Sequence, residues 1–168
     1  MNAGMKALLI DNLKKLRLST MIRNLSSLVR QAKQEKLSYE EFLLNLSEVE
    51  VQTRQENGRK RRLREAKFPI LKPMDTFKFD AAPQLDVRLM KELSNCDYVK
   101  KSRNIIFVGK SGTGKTHLAT ALGMEACKQG VRTRFVTGCG LANELIEARD
   151  EKLLGRMVKR YAGYGLLI

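Results

Sequence analysis

A chain of 168 residues holds one ordinary domain, or one domain with an extension, and is too short for several. Its 43% hydrophobic content supports a core, but with 6% aromatics and no Trp that core must rest on Leu, Ile, Val and Met. The net charge of +14, from 32 Lys and Arg against 18 Asp and Glu, exceeds what folding needs and points to a polyanionic partner, nucleic acid first among them. Residues 1–67 carry 15 basic and 8 acidic groups, and residues 68–168 carry 17 and 10, so the excess is evenly split at that point. Three cysteines, Cys96, Cys127 and Cys139, are an odd number without metal-ligand spacing. Reduced thiols in a cytosolic protein account for them. The apolar run Ala7-Leu8-Leu9-Ile10 is too short for a signal core or a membrane span, so the expected location is cytoplasmic.

Along the chain, residues 1–67 read as an all-helical, basic N-terminal domain. Leu9, Leu13 and Leu16, then Leu18, Met21, Leu25, Leu28 and Ala32, recur at steps of three and four and mark one buried helical stripe. Ser38 and Glu41 form a capping box that opens a second long helix, with Phe42, Leu46 and Val49 inward. Gly58 marks a candidate bend, at a cost of about 1 kcal/mol. The end of this helix is strongly cationic: Arg59, Lys60, Arg61, Arg62, Arg64 and Lys67. The run reads either as a solvated face or as a strip that neutralises backbone phosphates. No aromatic interleaves it, which argues against base stacking on single strands.

Residues 68–84 read as a linker with Pro69 and Pro73, and Phe77 and Phe79 are expected to cover the edge of the next domain. Leu85, Leu89 and Leu93 predict a short helix. Ile105-Ile106-Phe107-Val108 predicts a buried parallel strand. A helix is predicted from Lys115 to about Gln129, with Leu118, Leu122 and Ala126 inward and Gly130 as its stop. A second strand is predicted over 132–137, a turn at Gly138-Cys139-Gly140, and further helices on Leu141, Leu145 and Ala148, then Leu153, Met157 and Tyr161. Leu166-Leu167-Ile168 opens a third strand.

The most specific signal is Gly109-Lys110-Ser111-Gly112-Thr113-Gly114-Lys115-Thr116, which fills every fixed position of G-x-x-x-x-G-K-[ST]. Chance would supply such a match roughly once in two hundred chains of this length. The glycines free the backbone to wrap an anion with N–H groups, and the helix N-terminus adds partial positive charge. In this pattern Lys115 reaches the β- and γ-phosphates and Thr116 holds Mg²⁺. The lone His117 reads as helix surface or packing. Hydrolysis needs an acid after a further apolar strand, and no acid follows Leu166-Leu167-Ile168 in this sequence. No catalytic residue is therefore assigned.

The loop continuing as Gly114-Lys115-Thr116-His117-Leu118-Ala119, with Ala121-Leu122-Gly123, Glu125-Ala126-Cys127 and Arg134-Phe135-Val136-Thr137, resembles the IstB-like ATP-binding proteins. These are ATPase helpers of insertion-sequence transposition, related to DnaC-type helicase loaders within the AAA+ class. Upstream, Leu16-Arg17-Leu18, Ser38 to Phe42, Ala66 to Pro69 and Phe77 to Asp80 fit the same layout. The resemblance implies an α/β fold: a P-loop NTPase of AAA+ type, here with an incomplete parallel sheet, preceded by the all-helical domain. The partial ATP-binding domain is expected over 85–168, C-terminally truncated relative to the family. It further implies ATP and Mg²⁺ as cofactors, double-stranded DNA and a transposase as partners, and self-assembly of the full-length form. Its usual strand order would leave the loop-bearing strand at 105–108 without its ladder neighbours, so an abnormal pairing or an exposed edge is expected. The alternatives are a DnaC-like loader that shares the loop, a small-molecule kinase, whose acceptor-site residues are not legible, and a DNA-binding remnant with a vestigial nucleotide site.

Overall fold

Leucine spacing and long-range capping shape the first of two units into which contacts divide the chain, Met1–Gly58 and Arg59–Ile168. The computed structural model describes residues 3–168; Met1 and Asn2 lie outside the described residues. The first unit holds α1 (Ala3–Lys15), α2 (Ser19–Glu35) and the larger part of α3 (Tyr39–Glu65). Leu13, Leu25 and Leu46 are its buried centre, ringed by Leu9, Leu18, Met21, Ile22, Leu28, Val29 and Phe42. Each buried Leu contributes roughly 1.5–3 kcal/mol.

The predicted stripe is broken where no Gly or Pro announces it. α1 stops at Lys15, Leu16 is 66% exposed rather than buried, and Arg17 takes a left-handed φ of 57°. The helix start that follows is held from thirty residues away. Glu50, buried on α3, accepts the N–H groups of Thr20 and Met21 through one carboxylate oxygen, at 2.9 and 3.0 Å. Those are orphan amides of α2, whose own N-cap, Leu18, offers no side-chain acceptor. The other oxygen of Glu50 takes a 2.7 Å bond from Arg54 Nε, and Arg54 Nη2 donates to Arg17 O at 2.6 Å. Burial pushes the Glu50 carboxyl up, but the bonds from Arg54, Met21 and Thr20 outweigh it and leave the group below the ordinary carboxylate range. The Ser38–Glu41 capping box forms as predicted. Ser38 N donates to Glu41 Oε2 at 2.8 Å and Glu41 N donates to Ser38 Oγ at 3.2 Å. α3 passes through Gly58 unbroken.

In the second unit, two short 3₁₀ turns, Met74–Thr76 and Phe79–Ala81, form within the predicted linker. Then come α4 (Val87–Ser94), α5 (Asp97–Lys100), α6 (Lys115–Lys128), β1 (Thr133–Arg134), α7 (Gly138–Asp150), α8 (Leu154–Ala162) and β2 (Leu166–Leu167). Asp86 caps α4 by accepting from Arg88 N and Leu89 N. Met90, not Leu89, is the buried residue of that helix. The glycines at 138 and 140 do not turn the chain; they open α7, with the Thr137 hydroxyl accepting from Gly140 N at 3.1 Å.

α6 is the centre of this unit. Leu118, Ala121, Leu122, Met124, Ala126 and Cys127 are all buried, so the helix is enclosed on more than one face. Phe77, Phe79, Ile105 and Phe107 pack against the group formed by Met90, Leu118 and Leu122. Gly123 sits mid-helix, where glycine ordinarily costs about 1 kcal/mol. A Cβ there would collide with Ile168 and would come within 2.8 Å of the Phe68 ring, so the missing methyl is what lets both approach the helix.

The sheet is small and parallel, with Thr133 opposite Leu166 and Arg134 opposite Leu167. The predicted strand at 105–108 does not form. Ile105 and Phe107 face the core, while Ile106 is 83% and Val108 90% exposed. Among the described residues, none of these four makes a main-chain hydrogen bond. A strand exists only through its ladder, and the two strands present pair with each other. The chain is thus a mostly helical α/β protein with a two-stranded parallel sheet. Among the described residues no helix is long and apolar enough to cross a membrane.

Candidate functional site

The glycine loop enters α6 through backbone that side chains rarely adopt. Gly112 has φ 79° and Gly114 has φ 89°. Gly114 is required twice, because a Cβ there would also stand 2.6 Å from the Phe77 ring. It is the N-cap of α6 and offers no side-chain acceptor, and the first helical bond runs from Leu118 N to Gly114 O at 2.9 Å. The amides before Leu118 therefore have no helical partner. Residues 109–113 are exposed, as is Thr116 on the first turn, at least in part. Thr113 Oγ1 closes the loop by donating to Lys110 O at 2.9 Å.

Lys115 folds back over this loop. Its ammonium donates to Gly109 O at 2.8 Å and to Lys110 O at 2.5 Å. A cation, the positive end of a 14-residue helix and a turn of exposed amides thus converge at one place. The residues expected from sequence to bind phosphate, Gly109, Lys110, Ser111, Gly112, Thr113, Gly114, Lys115 and Thr116, are this loop and the first turn of α6. Two clefts border it. One, of about 430 Å³, is lined by Lys72, Phe77, Lys78 and His117 together with Gly112 and Gly114. The other, of about 510 Å³, runs from Lys115 and Thr116 past Phe107 to Leu166, and no carboxylate side chain lines it. Among the described residues, no three His, Cys, Asp or Glu side chains are grouped to hold a metal ion.

The cationic run divides by helical position. Lys60, Arg61 and Arg64 fall within one third of the α3 circumference and are exposed. Arg61 has Glu65 as a distant ion-pair partner at 3.9 Å. Lys67, just beyond the helix, takes φ 54° and lines a separate cleft with Arg134, Glu144 and Arg160. Arg59 is half-buried. Arg62 turns inward: its Nε donates to Cys127 O at 2.7 Å, near the C-terminus of α6. Arg62 therefore serves the fold, capping a helix end where cations are favoured. Arg62 lies four residues before Ala66, which is fully buried, so both fall on the inward side of this stretch.

A second polar centre was not legible in the sequence. Glu144 on α7 accepts from Arg134 at 2.9 Å, from Arg160 at 2.5 Å and from the Tyr161 hydroxyl at 2.9 Å. Burial pushes its carboxyl up, but Tyr161 and the two arginines hold it below the ordinary range. This centre fastens α8 and β1 to α7.

The chain is similar to proteins named as putative ATP-binding proteins of insertion sequences. That of IS5376 from Geobacillus stearothermophilus is 35% identical over 154 residues, covering 92% of this chain and 61% of the relative. That of IS21 from Pseudomonas aeruginosa is 33% identical over 156 residues, covering 93% and 59%. That of IS232 from Bacillus thuringiensis subsp. berliner is 32% identical over 160 residues, covering 95% and 64%. The chain thus spans about three-fifths of the length of these relatives. The family model described as IstB-like ATP binding protein matches residues 11–168. Matched to that family over nearly the whole of its own length, the chain belongs to the IstB-like ATP-binding protein family.

Proposed function

We propose that this protein is the ATP-binding helper of an insertion-sequence transposition system, built on a P-loop of AAA+ type. In this reading the 109–116 loop takes the polyphosphate of ATP, and the protein binds duplex DNA and works with a transposase. The observation that carries the reading is the convergence of Lys115, the α6 N-terminus and the exposed amides between Gly109 and Thr116. The donor set fits a polyphosphate: many N–H groups, one ammonium and no competing carboxylate side chain in the cleft beside Thr116. The Thr116 hydroxyl is the group of this loop that would hold Mg²⁺, an ion that keeps several of its waters. Bound there, the ion would supply charge neutralisation between phosphates. The residues named are binding groups, and the proposal concerns binding. For DNA, the exposed face of Lys60, Arg61 and Arg64 is the better candidate, since Arg62 is engaged with Cys127.

A filter-binding salt series on duplex DNA, with and without ATP and Mg²⁺, tests this. Wild-type affinity is expected to rise with ATP, and Lys115→Ala to abolish the rise by weakening ATP binding about 100-fold. Reversing Lys60, Arg61 and Arg64 to Glu should weaken binding to all sequences. It should flatten the log–log salt slope by about 0.9 for each phosphate no longer neutralised. Equal affinity for DNA with ATP, without it and in Lys115→Ala would refute the nucleotide-dependent part of the proposal.

A further inference from the structure

His117 does more than cover the helix surface. Its Nε2 lies 3.2 Å from Pro73 O and 3.2 Å from Thr76 Oγ1. A carbonyl only accepts, so Nε2 carries the hydrogen. The Thr76 hydroxyl already donates to that same Pro73 carbonyl at 2.7 Å, so its oxygen also accepts from His117. One N–H is thereby shared across both ends of the Met74–Thr76 turn. The next residue, Phe77, packs edge-on against the His117 ring with centroids 5.1 Å apart. The Phe77 ring also fills the space that a Cβ on Gly114 would need, 2.6 Å from its nearest atom. Gly114 and His117 are three residues apart and share one face of the helix start. The Phe77 ring therefore packs directly against the glycine loop at Gly114, and His117 holds the backbone that carries that ring.

We infer that His117 is a positioning residue that couples occupancy of the 109–116 loop to residues 73–79. The inference rests on the triphosphate reading above. It makes residues 73–79, which come after the cationic arm at 59–67 in the chain, a segment that senses nucleotide. The signal leaves the loop as a mechanical contact, ring against glycine, and not as a charge.

Limited trypsin digestion with mass-spectrometric readout tests this on the whole chain. Lys72 precedes Pro73 and resists trypsin, so cleavage after Lys78 reports on the segment. Without nucleotide, His117→Ala should speed cleavage after Lys78 about 3- to 10-fold, the worth of one lost hydrogen bond, and His117→Gln, which keeps an N–H donor, should stay within about 2-fold of wild type. Adding ATP with Mg²⁺ should slow cleavage in wild type and His117→Gln but not in His117→Ala. Unchanged cleavage in nucleotide-free His117→Ala, or nucleotide protection persisting in that variant, would overturn the coupling alone. Equal binding of ATP by wild type and Lys115→Ala, measured by equilibrium dialysis, would overturn the triphosphate reading and the coupling with it.

Discussion

Both units use polar side chains to hold their own folds, but they differ in the charge they leave unbalanced. Met1–Gly58 carries 9 basic and 7 acidic residues, while Arg59–Ile168 carries 23 and 11, so nearly all the charge excess lies in the second. In the first unit the polar side chains close on the unit itself: Glu50 caps α2, Arg54 holds Arg17, and Ser38 and Glu41 cap each other. In the second, the loop amides, the exposed face of Lys60, Arg61 and Arg64 and the main chain at 105–108 open to the outside. Polar groups that a fold consumes internally stabilise it; an excess of one sign at the surface sets the field that a ligand meets. Charge counted by sequence halves hid this, because the cation-rich end of α3 belongs with the second unit.

The contrast is most sharply tested at Glu50. Glu50→Ala should destabilise the first unit by about 2–3 kcal/mol, since two amides of α2 lose their acceptor, and should leave ATP affinity unchanged. Chemical denaturation followed by helix signal measures the first effect, and equilibrium dialysis the second. Loss of ATP binding in that variant would erase the distinction between the units. In the second unit, Gly123→Ala should cost about 1–2 kcal/mol: a better helix former is offset by overpacking against Phe68 and Ile168. A stabilised variant would mean that the two side chains retreat freely.

Acid should act on both units through carboxyls held low. For Glu41, the backbone and side-chain bonds with Ser38 lower the group; for Glu50 and Glu144, bonds and charges overcome burial. Because the folded values lie below the ordinary carboxylate value of about 4.3, their contribution is fully present above that pH and is lost as pH falls through the lowered values. Thermal melts between pH 6 and pH 3 should show a flat region and then a decline. Glu50→Gln should flatten the part of that decline that comes from the first unit. The smallest effect is expected at the open segment. Ile106→Thr with Val108→Thr should change stability by less than about 0.5 kcal/mol, since both side chains already face water, but should lower aggregation in light scattering.

Legibility tracked the range of the cause. The start and stop of α6 and the Ser38–Glu41 box were readable because their signals lie within a few residues of their effects. The break at Arg17 was not, because the group that stabilises the new helix start is Glu50, thirty residues beyond the amides it caps. The apolar run at 105–108 carried a strand pattern and kept its alternation, with 105 and 107 inward, but a pattern cannot supply a ladder partner. At the candidate site the loop was legible from spacing alone. The His117 contacts were not, since they join residues more than forty positions apart whose types are ordinary.

Arg62 sets a different kind of limit on how the cationic run can vary. Its neighbours Lys60, Arg61 and Arg64 serve the surface by their charge, and a Lys–Arg exchange among them should be tolerated. Arg62 needs a planar N–H aimed at the Cys127 carbonyl, which a flexible ammonium supplies less well. Among relatives the run should therefore drift freely in composition around one fixed arginine. A residue that looks like one more cation in a basic tract would be the member of it that natural variation spares.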